Sequence, residues 1–261
     1  MIKTIAHLAD IHIRKLRRFV EYREVFGRLY KQLEKIKPDL IYVAGDIVHG
    51  KLDTSPEETR LVANFFLKLS NISELIVIPG NHDCNLNNRS REDTLSPIID
   101  LVKKINPNKI HYWKQSGKYT IDNVDFGVMS IFDRDKNNNQ MVHGLPNPGD
   151  LDNEHTIAVF HGPVGTFEVD TGLQMTDKNV STKTFKGYNI VMLGDIHKRQ
   201  FLNVDKTIGY PGSLIQQNFA EDTSKGFLLW DLDTRTSTFY QVKNDCGFKT
   251  IHVKNGKIQN M

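Results

Sequence analysis

The chain has only two cysteines in 261 residues, Cys84 and Cys246, too few for a disulfide framework, so a reducing compartment is expected. No apolar run approaches the roughly 20 residues that cross a bilayer, and the first residues alternate as a strand does instead of forming a signal sequence. The expectation is an intracellular protein, neither secreted nor membrane-spanning. No block of like charge marks a disordered tail. The net charge of +3 is too small to demand a polyanionic partner, although Arg14, Lys15, Arg17 and Arg18 cluster. With 39% hydrophobic and 25% charged residues, one large core is expected.

What is present is alternation. "IKTIAHLAD" reads as a buried strand ending in Asp10, and Phe19, Tyr22, Phe26, Leu29, Leu33 and Ile36 follow at helical spacing until Pro38. "LIYVAGD" is a second strand, after which Ser55-Pro56-Glu57 opens a helix with a cap and a proline in its first turn. "ELIVIPGNHD" is a third strand and "LSPIIDLVKKI" a third helix. Short β-rich segments then fall near 117–131, 155–160, 188–193, 200–209, 226–232 and 236–242, with "DRDKNNNQ" as a polar loop. Strand-helix alternation implies parallel strands joined by right-handed crossovers, with ligands beyond the strands' carboxyl ends. The expected fold is α/β, with a two-sheet core and outer helices.

Each of five strands ends in chemistry. Asp10 and His12 follow the first, Asp46 and His49 the second, and Asn81, His82 and Asp83 the third, while His161 and then Asp195 and His197 end two later ones. The set Asp10, His12, Asp46, Asn81, His161, Asp195 and His197 offers oxygen and nitrogen donors without a thiolate, which suits manganese, iron or zinc better than a structural thiolate site. These donors exceed what one ion takes from protein, so two metals sharing a bridging carboxylate are expected. Cys84 reads as a small buried hydrophobe.

In this order, Asp10-x-His12, Gly45-Asp46, Gly80-Asn81-His82-Asp83, His161 and Gly194-Asp195-x-His197 resemble the calcineurin-like metallophosphoesterase superfamily. Within it, "GDIHKRQ" and "YPGSLIQQNFAEDTSKGFLLWDL" are similar to the SbcD-type nucleases of DNA double-strand-break repair. The resemblance covers nearly the whole chain and implies a four-layer α/β/β/α sandwich of two mixed sheets flanked by helices. It implies a nuclease domain over 1–245 and a C-terminal extension over 246–261 that starts a capping segment. Asp10, His12 and His197 would hold one ion, Asp46 would bridge, and Asn81 and His161 would hold the second, the ions being manganese, or else magnesium, iron or zinc. The implied partners are DNA, an SbcC-like ATPase and a second copy in a homodimer, in the cytoplasm with the nucleoid or in an intracellular viral setting. Asp195 stands where the family usually has histidine. A carboxylate there is either a hard oxygen ligand that favours manganese or magnesium, or too short to reach.

Two ions can lower the pKa of a shared water and neutralise phosphoryl oxygens as charge develops. His82 is expected near the leaving oxygen, its imidazole oriented by Asp83. His49 reads either as a family histidine that positions phosphate at the mouth of the site or as a solvated turn residue. Arg14, Arg17 and Lys198 are candidates for holding a DNA backbone, with a solvated helix face as the alternative for Arg17 and Arg18. Three functions stay open: a manganese-dependent exonuclease and endonuclease, a phosphatase or cyclic-nucleotide phosphodiesterase, and a scaffold that binds DNA or a partner without turnover.

Overall fold

The computed structural model describes residues 1–88, 90–133, 144–255 and 257–259; after Asp133 the polar "DRDKNNNQ" loop lies outside them. The helices are α1 (Phe19–Ile36), α2 (Pro56–Ile72) and α3 (Ser96–Ile105). The strands are β1 (Thr4–Leu8), β2 (Leu40–Ala44), β3 (Glu74–Ile78), β4 (Ile110–Tyr112), β5 (Gly117–Ile121), β6 (Val124–Met129), β7 (His155–His161), β8 (Thr166–Glu168), β9 (Gln174–Thr176), β10 (Ile190–Gly194), β11 (Gln200–Phe201), β12 (Ile208–Tyr210), β13 (Gly226–Asp231), β14 (Thr236–Gln241), β15 (His252–Lys254) and β16 (Lys257–Gln259).

Local chemistry sets the helix ends. α1 stops where Lys37 turns left-handed (φ 54°) and returns its N–H to Leu33 O, just before Pro38. α2 starts where the Ser55 hydroxyl accepts from Glu58 N. No described helix is long and apolar enough to cross a membrane.

Two six-stranded mixed sheets stack face to face, in the orders β14-β13-β1-β2-β3-β4 and β11-β12-β10-β7-β6-β5. β1 to β4 run parallel, and β13 returns antiparallel beside β1 with Ile5 opposite Trp230. Ile5, Tyr42, Ile76, Phe126, Ile157 and Trp230 fill the space between the sheets. α1 to α3 cover the outer face of the first sheet through Phe26, Leu29, Phe65, Phe66 and Ile99. This is the expected α/β sandwich. Its fourth layer, over the second sheet, is built from Phe167, Val180 and Phe185 of a segment that carries the β8–β9 hairpin and a 3-10 turn at Thr182–Phe185, without an α-helix. Gly162, Pro163, Gly165 and Gly172 interrupt that segment too often for one.

Glu58 in α2 is wholly buried, and neither carboxyl oxygen has a hydrogen-bond partner among the described residues. Burial, with Asp53 nearby, pushes its pKa from 4.5 up to about 7. Between those values the folded chain keeps a proton that the unfolded chain has lost. The stability tied to Glu58 is therefore full below about 4.5 and is lost as pH rises to about 7. Glu58→Gln is expected to remove this slope and to add about 1–3 kcal/mol at pH 8. Urea unfolding at pH 5 and pH 8 reads it, and an unchanged slope would contradict it.

Candidate metal centre

β1, β2, β3, β7 and β10 deliver their carboxyl ends to one edge where the two sheets meet. The loop after β1 runs alongside the loop after β2, with Asp10 N, His12 N and Ile13 N donating to Gly45 O, Asp46 O and Ile47 O at 2.8–3.2 Å. The buried Tyr22 hydroxyl donates to His12 O and anchors this loop to α1. Asp10, His12 and Asp46 take left-handed φ values of 53°, 50° and 52°, and Asp195 has φ 96°. L side chains seldom adopt such conformations, and here the paired loops hold them.

The two Gly-Asp-Ile turns of the sequence flank one imidazole. A Cβ on Gly194 would lie 2.8 Å from His161 Nδ1 and 2.1 Å from Ala44 O, and one on Gly45 would lie 2.7 Å from the same nitrogen. His161 Nδ1–H donates to Ala44 O at 2.6 Å, which aims Nε2 at Asn81 Oδ1 (3.1 Å), Asp46 Oδ1 (3.3 Å) and Asp195 Oδ1 (3.7 Å). Across the same carboxylate, His12 Nε2 lies 3.5 Å from Asp46 Oδ2 and 2.9 Å from His197 Nε2. Asp10, His12 and His197 form one cluster of ligand-type atoms, and Asp10, Asp46 and His161 form another. The structure thus gathers all seven donors, with Asp46 between the two groups.

Three buried or half-buried carboxylates share this space. Asp10 is fully buried, and burial together with Asp46 and Asp195 pushes its pKa up to about 7. Burial alone would depress His161, but Asp46, Asp195 and Asp10 lift it to about 10, and His161 in turn holds Asp46 below the usual carboxylate range. Burial keeps His12 neutral. Facing imidazole nitrogens beside crowded carboxylates, with Asp10 holding a raised pKa, are what a divalent cation would relieve, so the donor set fits two such ions.

Asp195 lines a cavity of about 160 Å³ together with Asn81 and His161. Its backbone N–H donates to both Asp10 oxygens at 3.1 and 3.2 Å. Asp195→Ala is expected to weaken divalent-cation binding beside Asn81 and His161 by about tenfold or more. Unchanged stoichiometry and activity would exclude ligation by Asp195.

His82 stands beside this cluster, its ring 4.9 Å from that of His12 and stacked on His49 at 5.2 Å. The expectation that Asp83 orients His82 does not hold. The His82 Nδ1–H donates to His49 O at 2.8 Å, whereas the buried Asp83 carboxylate accepts from Ile47 N, Val48 N and Gly80 N at 2.8–3.0 Å. Three backbone donors outcompete one imidazole, so Asp83 clamps the β2 loop to the Gly-Asn-His-Asp turn. His49 is more than a solvated turn residue: Arg14 Nη1 donates to its Nε2 at 3.1 Å, and burial with Arg14 lowers its pKa to about 4.

Of the basic candidates, Arg14 reaches the site through His49, and Arg17 is exposed. Lys198 is ion-paired with Glu168, and Arg18 is held by Glu21 at 2.6 Å and by Gln216 O, so its role is packing. Cys84 is buried, as read, and burial pushes its thiol up to about 12.

Two buried residues escaped the sequence reading. Glu221 accepts from His197 Nδ1 at 2.8 Å, which aims His197 Nε2 at His12, and Lys225 pairs with Glu221 at 2.9 Å. Burial opposes both shifts, yet Glu221 raises His197 to about 8 and is itself held at about 2. Glu221 lies in the "QQNFAED" stretch that carries part of the resemblance, which was its only signal.

The family model for calcineurin-like phosphoesterases matches residues 3–199. Over 98% of its length the chain is 43% identical to an uncharacterized protein of Acanthamoeba polyphaga mimivirus, of which it spans 19%. Over 92% of its length it is 26% identical to the SbcD subunit of nuclease SbcCD from Staphylococcus epidermidis, of which it spans 69%. A solved structure from Thermus thermophilus superposes on 93% of the chain, and on 100% of its own, with a TM-score of 0.58 at 15% identity, a likeness of fold alone.

Proposed function

Because the chain belongs to the calcineurin-like phosphoesterase family, we propose that it is a manganese-dependent DNA nuclease, an exonuclease and endonuclease that hydrolyses phosphodiester bonds. The carrying observation is geometric: Asp10, His12, His197 and Asn81, His161, Asp195 flank Asp46, with His82 alongside. The likeness to the SbcD subunit of nuclease SbcCD supports a nucleic-acid substrate, which we take to be DNA. Divalent ions held by these donors supply Lewis acidity and an activated water. The chain's own part is orientation and proton transfer. His49 O fixes the His82 Nδ1–H, which leaves Nε2 facing the site as the atom that delivers a proton to the leaving oxygen. His49 is kept neutral and orders the Arg14 guanidinium, which meets a non-bridging phosphate oxygen at the mouth. Glu221 holds the His197 tautomer from behind. The proposal extends to an SbcC-like ATPase partner and a homodimer, which light scattering with and without such a partner tests.

The deciding assay is cleavage of labelled linear DNA in manganese by wild type and His82→Ala. Wild type is expected to cut, and His82→Ala to be about 10²–10⁴-fold slower. Equal residual activity in both would leave the scaffold reading. Hydrolysis of a small phosphoester without inhibition by DNA would favour a phosphatase or cyclic-nucleotide phosphodiesterase.

A further inference from the structure

Beside the metal centre lies a second recess of about 520 Å³, within the size range of small-ligand sites. Its walls include Tyr112, Tyr119 and Phe132, with Lys114, Asp93 and Arg91 around them. It shares structure with the catalytic cleft: Ile131 lines the cavity of Asn81, His161 and Asp195, and its neighbour Phe132 lines the recess. On the other side, Thr94 N donates to Asp83 O, which ties the Asp93 segment to the Gly-Asn-His-Asp turn.

The chemistry of the recess differs from that of a phosphate site. Lys114 Nζ is held by the buried Asp93 carboxylate at 2.6 Å and by Ser96 Oγ at 3.0 Å, and it sits 5.9 and 6.0 Å from the Tyr112 and Phe132 ring centres. Asp93 also accepts from the Tyr112 hydroxyl at 2.8 Å. Tyr119 is braced by stacking on Trp113 at 4.7 Å, so its face is presented rigidly. The Lys114 charge is therefore matched from below, and the recess offers aromatic faces with both donors and acceptors at its edges and an exposed arginine, Arg91, at the rim. A neutral planar heterocycle with mixed hydrogen-bonding edges fits these walls, and a flanking phosphate fits Arg91.

We infer that this recess takes one unpaired nucleobase of the strand whose phosphate lies in the metal centre. The inference rests on the DNA reading above and sharpens it. A base reaches these rings only when it is out of the double helix, so single-stranded segments and frayed ends are the substrates that use both sites.

The test measures affinity of the manganese-loaded chain for hydrolysis-resistant phosphorothioate oligonucleotides, by fluorescence anisotropy. One is oligothymidylate, and the other has the same length and backbone but no bases. Wild type is expected to bind the base-bearing strand about tenfold more tightly, and Phe132→Leu, which keeps bulk and removes the ring, is expected to lose most of that preference. Equal affinity of wild type for both strands overturns the recess, as does full preference retained in Phe132→Leu; the wild-type comparison stands even if the variant misfolds. Base-dependent binding without DNA cleavage would sink hydrolysis and leave the recess standing. Cleavage with base-indifferent binding would do the reverse.

Discussion

Asp46→Asn is expected to fold normally and to lose phosphodiesterase activity by about 10³-fold or more, equivalent to about 4 kcal/mol of transition-state stabilisation. Its two oxygens face opposite halves of the site, Oδ1 toward His161 at 3.3 Å and Oδ2 toward His12 at 3.5 Å. An amide of the same shape can still accept the His82 N–H that Oδ1 receives at 2.8 Å, so the turn should survive. What it cannot do is supply charge to both halves while presenting two acceptors, because one of its atoms now carries hydrogens. Hydrolysis of bis(p-nitrophenyl) phosphate in saturating manganese is the readout, with circular dichroism as the check on folding. Activity within tenfold of wild type would remove Asp46 from the centre of the site.

Glu221→Gln is expected to act on two quantities at once. Glu221 receives His197 Nδ1, Ser213 Oγ, Gln217 N, Asn218 Nδ2 and Lys225 Nζ, all at 2.8–3.0 Å, and its side chain is fully buried. Neutralising it takes the nearer of two carboxylates from the buried Lys225 ammonium and leaves Asp170, 4.0 Å away, which should destabilise the fold by up to about 3–5 kcal/mol. Loss of the carboxylate behind His197 should also weaken manganese binding by about 10–100-fold. The two effects separate in Glu221→Gln combined with Lys225→Met. Stability should largely return because the buried ammonium that Glu221 neutralised is gone, whereas metal affinity should stay low because His197 still lacks its anionic partner. Recovery of both would mean that Glu221 acts through packing alone.

Much of this molecule was legible because local chemistry and tertiary placement agree. The apolar spacing from Phe19 to Ile36, the Ser55-Pro56 start of α2 and the apolar runs ending in Asp10, Asp46 and Asn81 all form the elements they suggest. The metal-type residues could be found because each directly follows such a strand, and parallel strands bring their carboxyl ends together. What stayed hidden depends on partners distant in sequence. Glu221 meets His197 across 24 residues, and Lys198 is drawn off to Glu168 across 30. The insertion of β13 beside β1 pairs residues near opposite ends of the chain. Adjacency to His82 suggests a side-chain pair for Asp83, whereas the backbone turns its carboxylate toward three amides. The base recess has no motif at all, since Arg91, Tyr112 and Phe132 converge only after folding.

The most direct test of the central claim is a calorimetric manganese titration of wild type, His161→Ala and His197→Ala. Two ions bound per wild-type chain, and one in each variant, are expected. A single site in wild type, or two sites surviving in both variants, would contradict a two-metal centre built around Asp46.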